Sequence, residues 1–388
     1  MKKRPIEVIK SWMVQGTYFD YMSLFYVIFL TAFGWIMVYS ASVYTSQVET
    51  EGASKMHYFM FQFIFSMMGF LVMYAVSKMK YQVFRYFINF MIFFEAVLLL
   101  LVLSPLGSSA NGSSRWIKIG FIRFQPSELA KIVIIIYMAD MCTRFPSYMK
   151  SYKGLVRLFA PVIVLAGLIA VENFSTAALC GVIALGICFV CTSDLKKLFV
   201  ALGVLGLAAV PLIMMKGYRL ERLEGWRHPD PKNNGYQTLQ GLYGIGTGGL
   251  FGKGLGQSVQ KLGGRIPEAH TDMIFAVICE ELGIMGALAL IVIFVILLFR
   301  FKFIAEGAPD RFGSLMVVGV IVHIGVQTIL NLAVVTNLLP NTGVPLPFIS
   351  YGGTSIVLTL LEMGIVLSVS RQIEPRSARK QENIVSEA

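Results

Sequence analysis

Apolar residues along this chain gather into blocks long enough to cross a bilayer, with polar residues held mainly in the stretches between them. Blocks near 21–43, 58–76, 87–103, 127–143, 158–172, 175–192, 198–215, 273–299, 313–333 and 352–370 predict about ten transmembrane helices. The fifth and sixth are divided at 172–175, the least marked of the boundaries. An even number of spans returns both termini to one side. The short segments there carry Lys2, Lys3 and Arg4; Lys78, Lys80 and Arg85; Arg144, Lys150, Lys153 and Arg157; Lys196 and Lys197; Arg300, Lys302 and Arg311; and Arg371, Arg376, Arg379 and Lys380, which marks that side as cytoplasm. The segments 44–57, 104–126, 216–272 and 334–351 then face outward. The largest, 216–272, joins spans seven and eight, and loops of that length are exempt from the charge rule. The expected division is a cytoplasmic segment 1–20, one transmembrane domain 21–370 and a cytoplasmic tail 371–388, polar and disordered. Met1 to Asp20 is polar and runs directly into the first span, so no cleavable signal peptide is expected.

Composition agrees with an all-α polytopic membrane protein: 56% of residues are hydrophobic and only 14% charged, with a mean hydropathy of +0.69. A net charge of +11 could suggest nucleic acid, but the cations lie in inter-helix segments with no nucleic-acid motif beside them. They read as topology signals and phosphate ligands. Cys142, Cys180, Cys188, Cys191 and Cys279 all fall in apolar runs, which excludes a disulfide framework. Cys188-Phe189-Val190-Cys191 has redox or zinc spacing, but without a second ligand pair it reads as packing, and no protein metal site is expected.

The candidate chemistry is in the outward segments. Pro267-Glu268-Ala269-His270-Thr271-Asp272 places ionisable groups at the threshold of a long apolar helix beginning near Met273. There the N-terminal dipole favours an ionised Asp272, a usable base, although an Asp in that place can also simply cap the helix. The surroundings favour chemistry: a Gly-rich, cation-bearing stretch precedes it, and the unusual loop Pro340–Ser355, with Ser350 and Tyr351, follows. Pro126 and Ser127 read as a helix start, with Glu128 and Lys131 three apart on one face as a bracing ion pair or as participants. Arg115 and Lys118 flank Trp116, as membrane-surface anchors or as phosphate ligands.

Gly244, Gly246 and Gly249 satisfy a dinucleotide-binding pattern, which fails for want of a preceding parallel strand, and Gly252-Lys253 lacks P-loop spacing. The glycines more plausibly let backbone approach a ligand or hinge a loop, with Lys253, Lys261 and Arg265 supplying positive charge. His323, Gln327 and Asn331, four apart, form one polar stripe that reads as an interhelical hydrogen-bond seam. Glu95, Glu280, Glu281 and Glu362 are intramembrane carboxylates of the kind a proton-coupled transporter uses, and that reading stays open.

Taken together, Asn111–Trp116, Phe124–Lys131, Gly235-Tyr236-Gln237, Gly246–Gly256, Pro267–Asp272, Glu280-Glu281-Leu282-Gly283 and Pro340–Ser355 resemble the shape, elongation, division and sporulation (SEDS) family of peptidoglycan polymerases, from the first span to the last. Gly235-Tyr236-Gln237 and Pro267–His270 are more similar to its division branch and sporulation relative than to its elongation branch. Three places depart from the pattern: Glu172–Thr176, where a Pro-Asp and Gly-Thr signature is usual; Gly241, where Ser is usual; and Met273, where Phe is usual.

The resemblance implies polymerisation of lipid II, a disaccharide-pentapeptide on undecaprenyl pyrophosphate, into β-1,4-linked glycan at the outer face of the bacterial cytoplasmic membrane, at the division septum. Asp272 would be the general base, with Arg115, Lys118, Glu128, Lys131, Lys253, Arg265, Glu268, His270, Ser350 and Tyr351 binding substrate. Pyrophosphate leaves without protonation, so cations of the chain, or a divalent cation as cofactor, can replace a general acid. The implied partners are a class B penicillin-binding transpeptidase and other division proteins, in a membrane that also supplies lipid. A lipid-linked precursor flippase and a non-enzymatic division scaffold are the competing readings.

Overall fold

Each predicted apolar block that falls among the described residues forms a helix. The computed structural model describes residues 12–14, 19–49, 55–105, 107–110, 113–120, 122–192, 196–197, 200, 203, 217–230, 235–261 and 265–373. The seventh predicted span, 198–215, lies almost wholly outside the described residues, as do most of segment 1–20 and the tail from 374. The helices are α1 (Tyr21–Glu49), α2 (His57–Lys78), α3 (Gln82–Leu103), α4 (Pro126–Arg144), α5 (Tyr152–Glu172), α6 (Phe174–Cys191), α7 (Gly217–Arg227), α8 (Tyr236–Gly248), α9 (Ile274–Gly307), α10 (Arg311–Val335) and α11 (Thr354–Arg371). Among the described residues, eight of them, α1 to α3, α5, α6 and α9 to α11, are long and apolar enough to cross a membrane. The chain is a multi-pass membrane protein.

α4 carries Glu128, Lys131, Asp140 and Arg144, yet most of its side chains are buried. It packs against α3, α6 and α10, and charges in such a place must be paired. The fifth and sixth spans divide at Asn173, whose side chain accepts a hydrogen bond from Thr176 N at 3.2 Å and so caps α6. α2 and α11 pack most extensively of any pair. A methyl group on Gly364 would lie 2.8 Å from Met73 O, and small residues of this kind bring membrane helices together where lipid offers no hydrophobic drive.

The segment 104–126 corrects the all-helical expectation locally. It forms an antiparallel sheet of β1 (Gly107–Ala110), β2 (Ser113–Ile119) and β3 (Ile122–Phe124), with Lys118 opposite Arg123. The sheet packs against α3, α4 and α5, and Thr354 Oγ1 donates to Arg123 O at 3.1 Å.

The Gly-rich part of 216–272 lies along α9. α9 breaks at Gly283, whose φ of 69° and ψ of −174° are open to glycine and closed to other residues. The groups freed by the break find partners in the stretch after α8: Lys253 N donates to Glu280 O at 3.0 Å and Gly254 N to Glu281 O at 2.9 Å, while Ile284 N donates to Gly249 O at 3.0 Å and Met285 N to Leu250 O at 3.1 Å. Irregular backbone inside a membrane domain persists only when satisfied in this way. Upstream, α8 runs beside the first turns of α9. A Cβ on Gly248 would fall 2.1 Å from Cys279 O, and one on Gly241 would fall 2.4 Å from Met273 Cε. Two of the three departures from the SEDS pattern, Gly241 and Met273, therefore touch each other.

Candidate active site

Asp272 sits where α8, the start of α9, α10 and the loop 340–353 converge. α9 begins at Ile274 with Met273 as its N-terminal flank, and no side chain caps it. Asp272 is thus free of the capping role. Its Oδ1 accepts from Gln237 Nε2 at 3.3 Å and from Thr271 Oγ1 at 3.4 Å. Gln237 is itself fixed by Asn341 Nδ2, which donates to its Oε1 at 2.7 Å. On the other side, a Cβ on Gly343 would lie 3.8 Å from Asp272 Oδ2, so the loop passes close to the carboxylate.

Asp272 is 9% exposed. Burial, with the negative charge of Glu268 adding to it, pushes its pKa from 3.8 up to about 7, against the partial offset of the Arg222 guanidinium and the Thr271 hydroxyl. The dipole argument from sequence gave the opposite direction. A helix N-terminus contributes about 0.3–1 kcal/mol, whereas a displacement of this size corresponds to about 4 kcal/mol, so desolvation wins.

Glu268 and Phe348, in the two loops that meet here, have φ of 54° and 65°, conformations that cost of order 1–3 kcal/mol each in a non-glycine residue. Glu268 is exposed and accepts from Thr271 Oγ1 at 3.0 Å. His270 is buried, its ring 4.3 Å from Tyr58 and 5.6 Å from Tyr351, and its carbonyl accepts from Tyr351 N at 2.8 Å. Ser350 Oγ accepts from Leu346 N at 2.8 Å. The turn after it is held by Gln62 of α2, which donates to Ser350 O at 3.2 Å and accepts from Gly352 N at 3.3 Å.

Glu128 and Lys131 form a buried ion pair at 3.0 Å. Ser355 Oγ donates to Glu128 at 2.7 Å, and Lys131 also reaches Gln327 Oε1 at 3.0 Å. Gln327 Nε2 donates to Pro345 O at 2.9 Å, which leaves its Oε1 as acceptor for His323 Nε2 at 2.8 Å. His323 Nδ1 lies 2.8 Å from Glu362; with Nε2 protonated, that contact needs a second proton, shared between imidazole and carboxylate. One turn on, Asn331 Nδ2 donates at 2.8 Å to both Asp272 O and Val344 O. The polar stripe of α10 thereby joins the Glu128–Lys131 pair to the loop beside Asp272.

The other predicted cations lie elsewhere. Lys253 pairs with Glu280 at 2.6 Å and Lys261 with Glu281 at 2.6 Å, about two helical turns along α9 from Asp272. Ser258 Oγ and the N–H groups of Val259 and Gln260 also bond Glu280, and Gly256 N bonds Glu281. The Gly-rich stretch does present N–H groups to anionic oxygens, and those oxygens belong to α9. Arg115 Nε donates to Glu172 O at 3.3 Å, Lys118 is exposed on β2, and Arg265 is exposed ahead of Pro267. Glu268, His270, Asp272, Ser350 and Tyr351 are together, and Glu128 and Lys131 are linked to them. Arg115, Lys118 and Lys253 are not part of that constellation. Residues outside the predicted site set complete it: Gln237, Asn341 and Ser355, which lie in motifs that carry the SEDS resemblance, and Arg222 and the buried Gln62, which the sequence reading did not single out. Gln62 was detectable as a lone amide within an apolar span. Among the described residues, no group of three or more His, Cys, Asp or Glu side chains is placed to hold a metal ion.

Residues 21–374 match the model of the FtsW/RodA/SpoVE family, described as cell cycle proteins. The chain is 36% identical to the "Probable peptidoglycan glycosyltransferase FtsW" of Coxiella burnetii over 89% of its own length and 94% of that protein's. It is 37% identical to the stage V sporulation protein E of Bacillus subtilis over 91% and 97%. In fold it is similar to a chain of a peptidoglycan synthase complex, described for its coordination of polymerization and crosslinking, with a TM-score of 0.72 at 25% identity over 91% of this chain and 98% of that one. It is also similar to the rod shape determining protein RodA of Thermus thermophilus, with a TM-score of 0.68 at 24% identity over 92% and 98%.

Proposed function

Because the chain belongs to the FtsW/RodA/SpoVE family of cell cycle proteins, we propose that it is a peptidoglycan glycosyltransferase that polymerises lipid II, with Asp272 as its general base. The observation that carries the reading is the buried Asp272 carboxylate, positioned by Gln237 and pushed toward neutral pKa. A base is most effective when its pKa lies near the working pH. In the transfer, Asp272 takes the proton of the acceptor's 4-hydroxyl as that oxygen attacks the anomeric carbon of the donor. The bond from that carbon to the pyrophosphate oxygen breaks, its electron pair leaves with undecaprenyl pyrophosphate, and the configuration inverts to β, as with a single base in inverting glycoside chemistry. Arg222, the cation whose charge acts on Asp272, is suited to stabilise the departing pyrophosphate.

The reaction belongs at the outer membrane face, with both termini cytoplasmic. The helix ends agree. Asp20, which leads into α1, bonds Arg300 near the end of α9 and Ser370 at the end of α11, all remote along their helices from Asp272. Cys191 at the end of α6 lies beside Arg311, whereas Arg222 reaches Asn341 beside Asp272. A class B penicillin-binding transpeptidase at the septum would cross-link the product.

Polymerisation of purified lipid II by the protein, with and without that transpeptidase, is the test. Glycan strands are expected; movement of lipid II across vesicles without strands would favour a flippase. Against a flippase stands the state of three of the four intramembrane carboxylates: Glu280, Glu281 and Glu362 are engaged by Lys253, Lys261 and His323 rather than lining a polar path, while Glu95 is buried without a hydrogen-bond partner among the described residues.

A further inference from the structure

The end of the bundle remote from Asp272 holds a cavity of ≈ 320 Å³ between the first turns of α3 and the last turns of α4, lined by Arg85, Tyr86, Asn89, Tyr137, Asp140 and Arg144. Polymerisation makes no use of it. Both guanidiniums meet one carboxylate oxygen through Nε, Arg144 at 2.8 Å, on an Asp140 that is itself buried. Two positive charges against one leave the cavity with a surplus of one. Because Nε makes these bonds, the end-on N–H pair of each guanidinium is turned away from Asp140, and that fork matches a phosphate.

From the mouth of the cavity an apolar stripe descends α3. Tyr86, Phe90, Phe94, Val97 and Leu101 follow at intervals of four, four, three and four, so they share one helix face. They are 83%, 64%, 45%, 36% and 36% exposed, with Phe90 and Phe94 stacked at 5.9 Å. The cavity is at a helix terminus, where membrane headgroups lie, and the stripe runs toward the middle of the span, where acyl chains lie.

We propose that this cavity binds the phosphate of an anionic phospholipid, whose acyl chains lie along the Tyr86–Leu101 stripe. Charge complementarity selects the headgroup, as in other basic pockets between transmembrane helices. A soluble phosphate ester would match the guanidiniums but leave the stripe unused, and a zwitterionic lipid would bring its own cation to a cavity already positive.

The test is native mass spectrometry of the purified full chain in neutral detergent, titrated with phosphatidylglycerol, phosphatidylcholine or glycerol 1-phosphate. Phosphatidylglycerol is expected to bind about tenfold more tightly than either alternative. Arg144→Gln, which keeps the Arg85–Asp140 pair and makes the cavity neutral, is expected to remove that preference without moving the thermal unfolding midpoint. Equal binding of the two lipids by the unsubstituted protein would overturn the proposal whatever the variant does. So would a preference that survives in folded Arg144→Gln, or glycerol 1-phosphate binding as tightly as the lipid.

Discussion

Gln237 donates to Asp272 Oδ1 at 3.3 Å while its own Oε1 is held by Asn341 at 2.7 Å, so an amide from α8 sets the direction of a carboxylate ahead of α9. A hydrogen bond to a charged group contributes about 1.5–3 kcal/mol. Gln237→Ala is therefore expected to lower kcat about 10- to 100-fold with little change in KM. Since the lost bond favours the ionised form, the rise of rate with pH should also move to higher pH. Unaltered kcat and pH profile in the variant would remove Gln237 from the site.

The pKa of Asp272, pushed up to about 7, makes a pH prediction of definite sign. A base acts when deprotonated, so kcat/KM should climb through about pH 7 and level off above it. Arg222→Gln withdraws a charge that favours the carboxylate and should shift that climb upward. Stability runs the opposite way. The folded pKa lies above the unfolded value of 3.8, so the contribution of Asp272 is most favourable below pH 4 and is lost as pH rises through about 7. A pH–rate series on both proteins, beside unfolding midpoints at pH 5 and 8, checks both statements.

Breaking the Glu128–Lys131 pair leaves one buried charge alone, at a cost of about 3–5 kcal/mol. Glu128→Gln and Lys131→Met should each lower the unfolding midpoint and the polymerisation rate. The double variant should be more stable than the sum of the two losses implies, because it leaves no uncompensated charge. Additive losses in a double-mutant cycle would show that the two charges do not act on each other.

Two glycines of α8 separate packing from helix propensity. Gly248→Ala puts a methyl group 2.1 Å from Cys279 O and should displace α8 from α9, lowering both stability and activity. Gly246→Ala meets nothing within 4 Å and should stabilise the helix by about 0.5–1 kcal/mol. Equal behaviour of the two variants, measured by thermal unfolding and polymerisation rate, would exclude close packing as the reason for Gly248.

Much of this was legible in the sequence. The block 127–143 became Pro126–Arg144 because Pro126 starts a helix and apolar length fixes its extent. The spacing of His323, Gln327 and Asn331 gave a stripe, and the stripe does bond across helices. Lys253 was different. A cation in a Gly-rich stretch reads equally as a ligand for substrate or for another part of the chain, and only the break at Gly283 brings it onto Glu280. Gln237 and Asp272 are 35 residues apart and meet because Gly241 and Gly248 let α8 lie against α9. Periodicity within one helix does not encode such a contact. The direction of the Asp272 pKa failed for a related reason: the dipole is a property of the helix, whereas burial is a property of the assembled loops.

The most direct measurement is the rate of lipid II polymerisation by Asp272→Asn with the proposed transpeptidase partner, beside its unfolding midpoint at pH 8. The amide preserves the shape and can still meet Gln237 and Thr271, but it cannot take the acceptor's proton. The account predicts a loss of about 10²- to 10⁴-fold in rate, with a midpoint equal to or above that of the unsubstituted protein, because a buried charge has been removed. Polymerisation at an undiminished rate by the folded variant would contradict the assignment of Asp272 as the base.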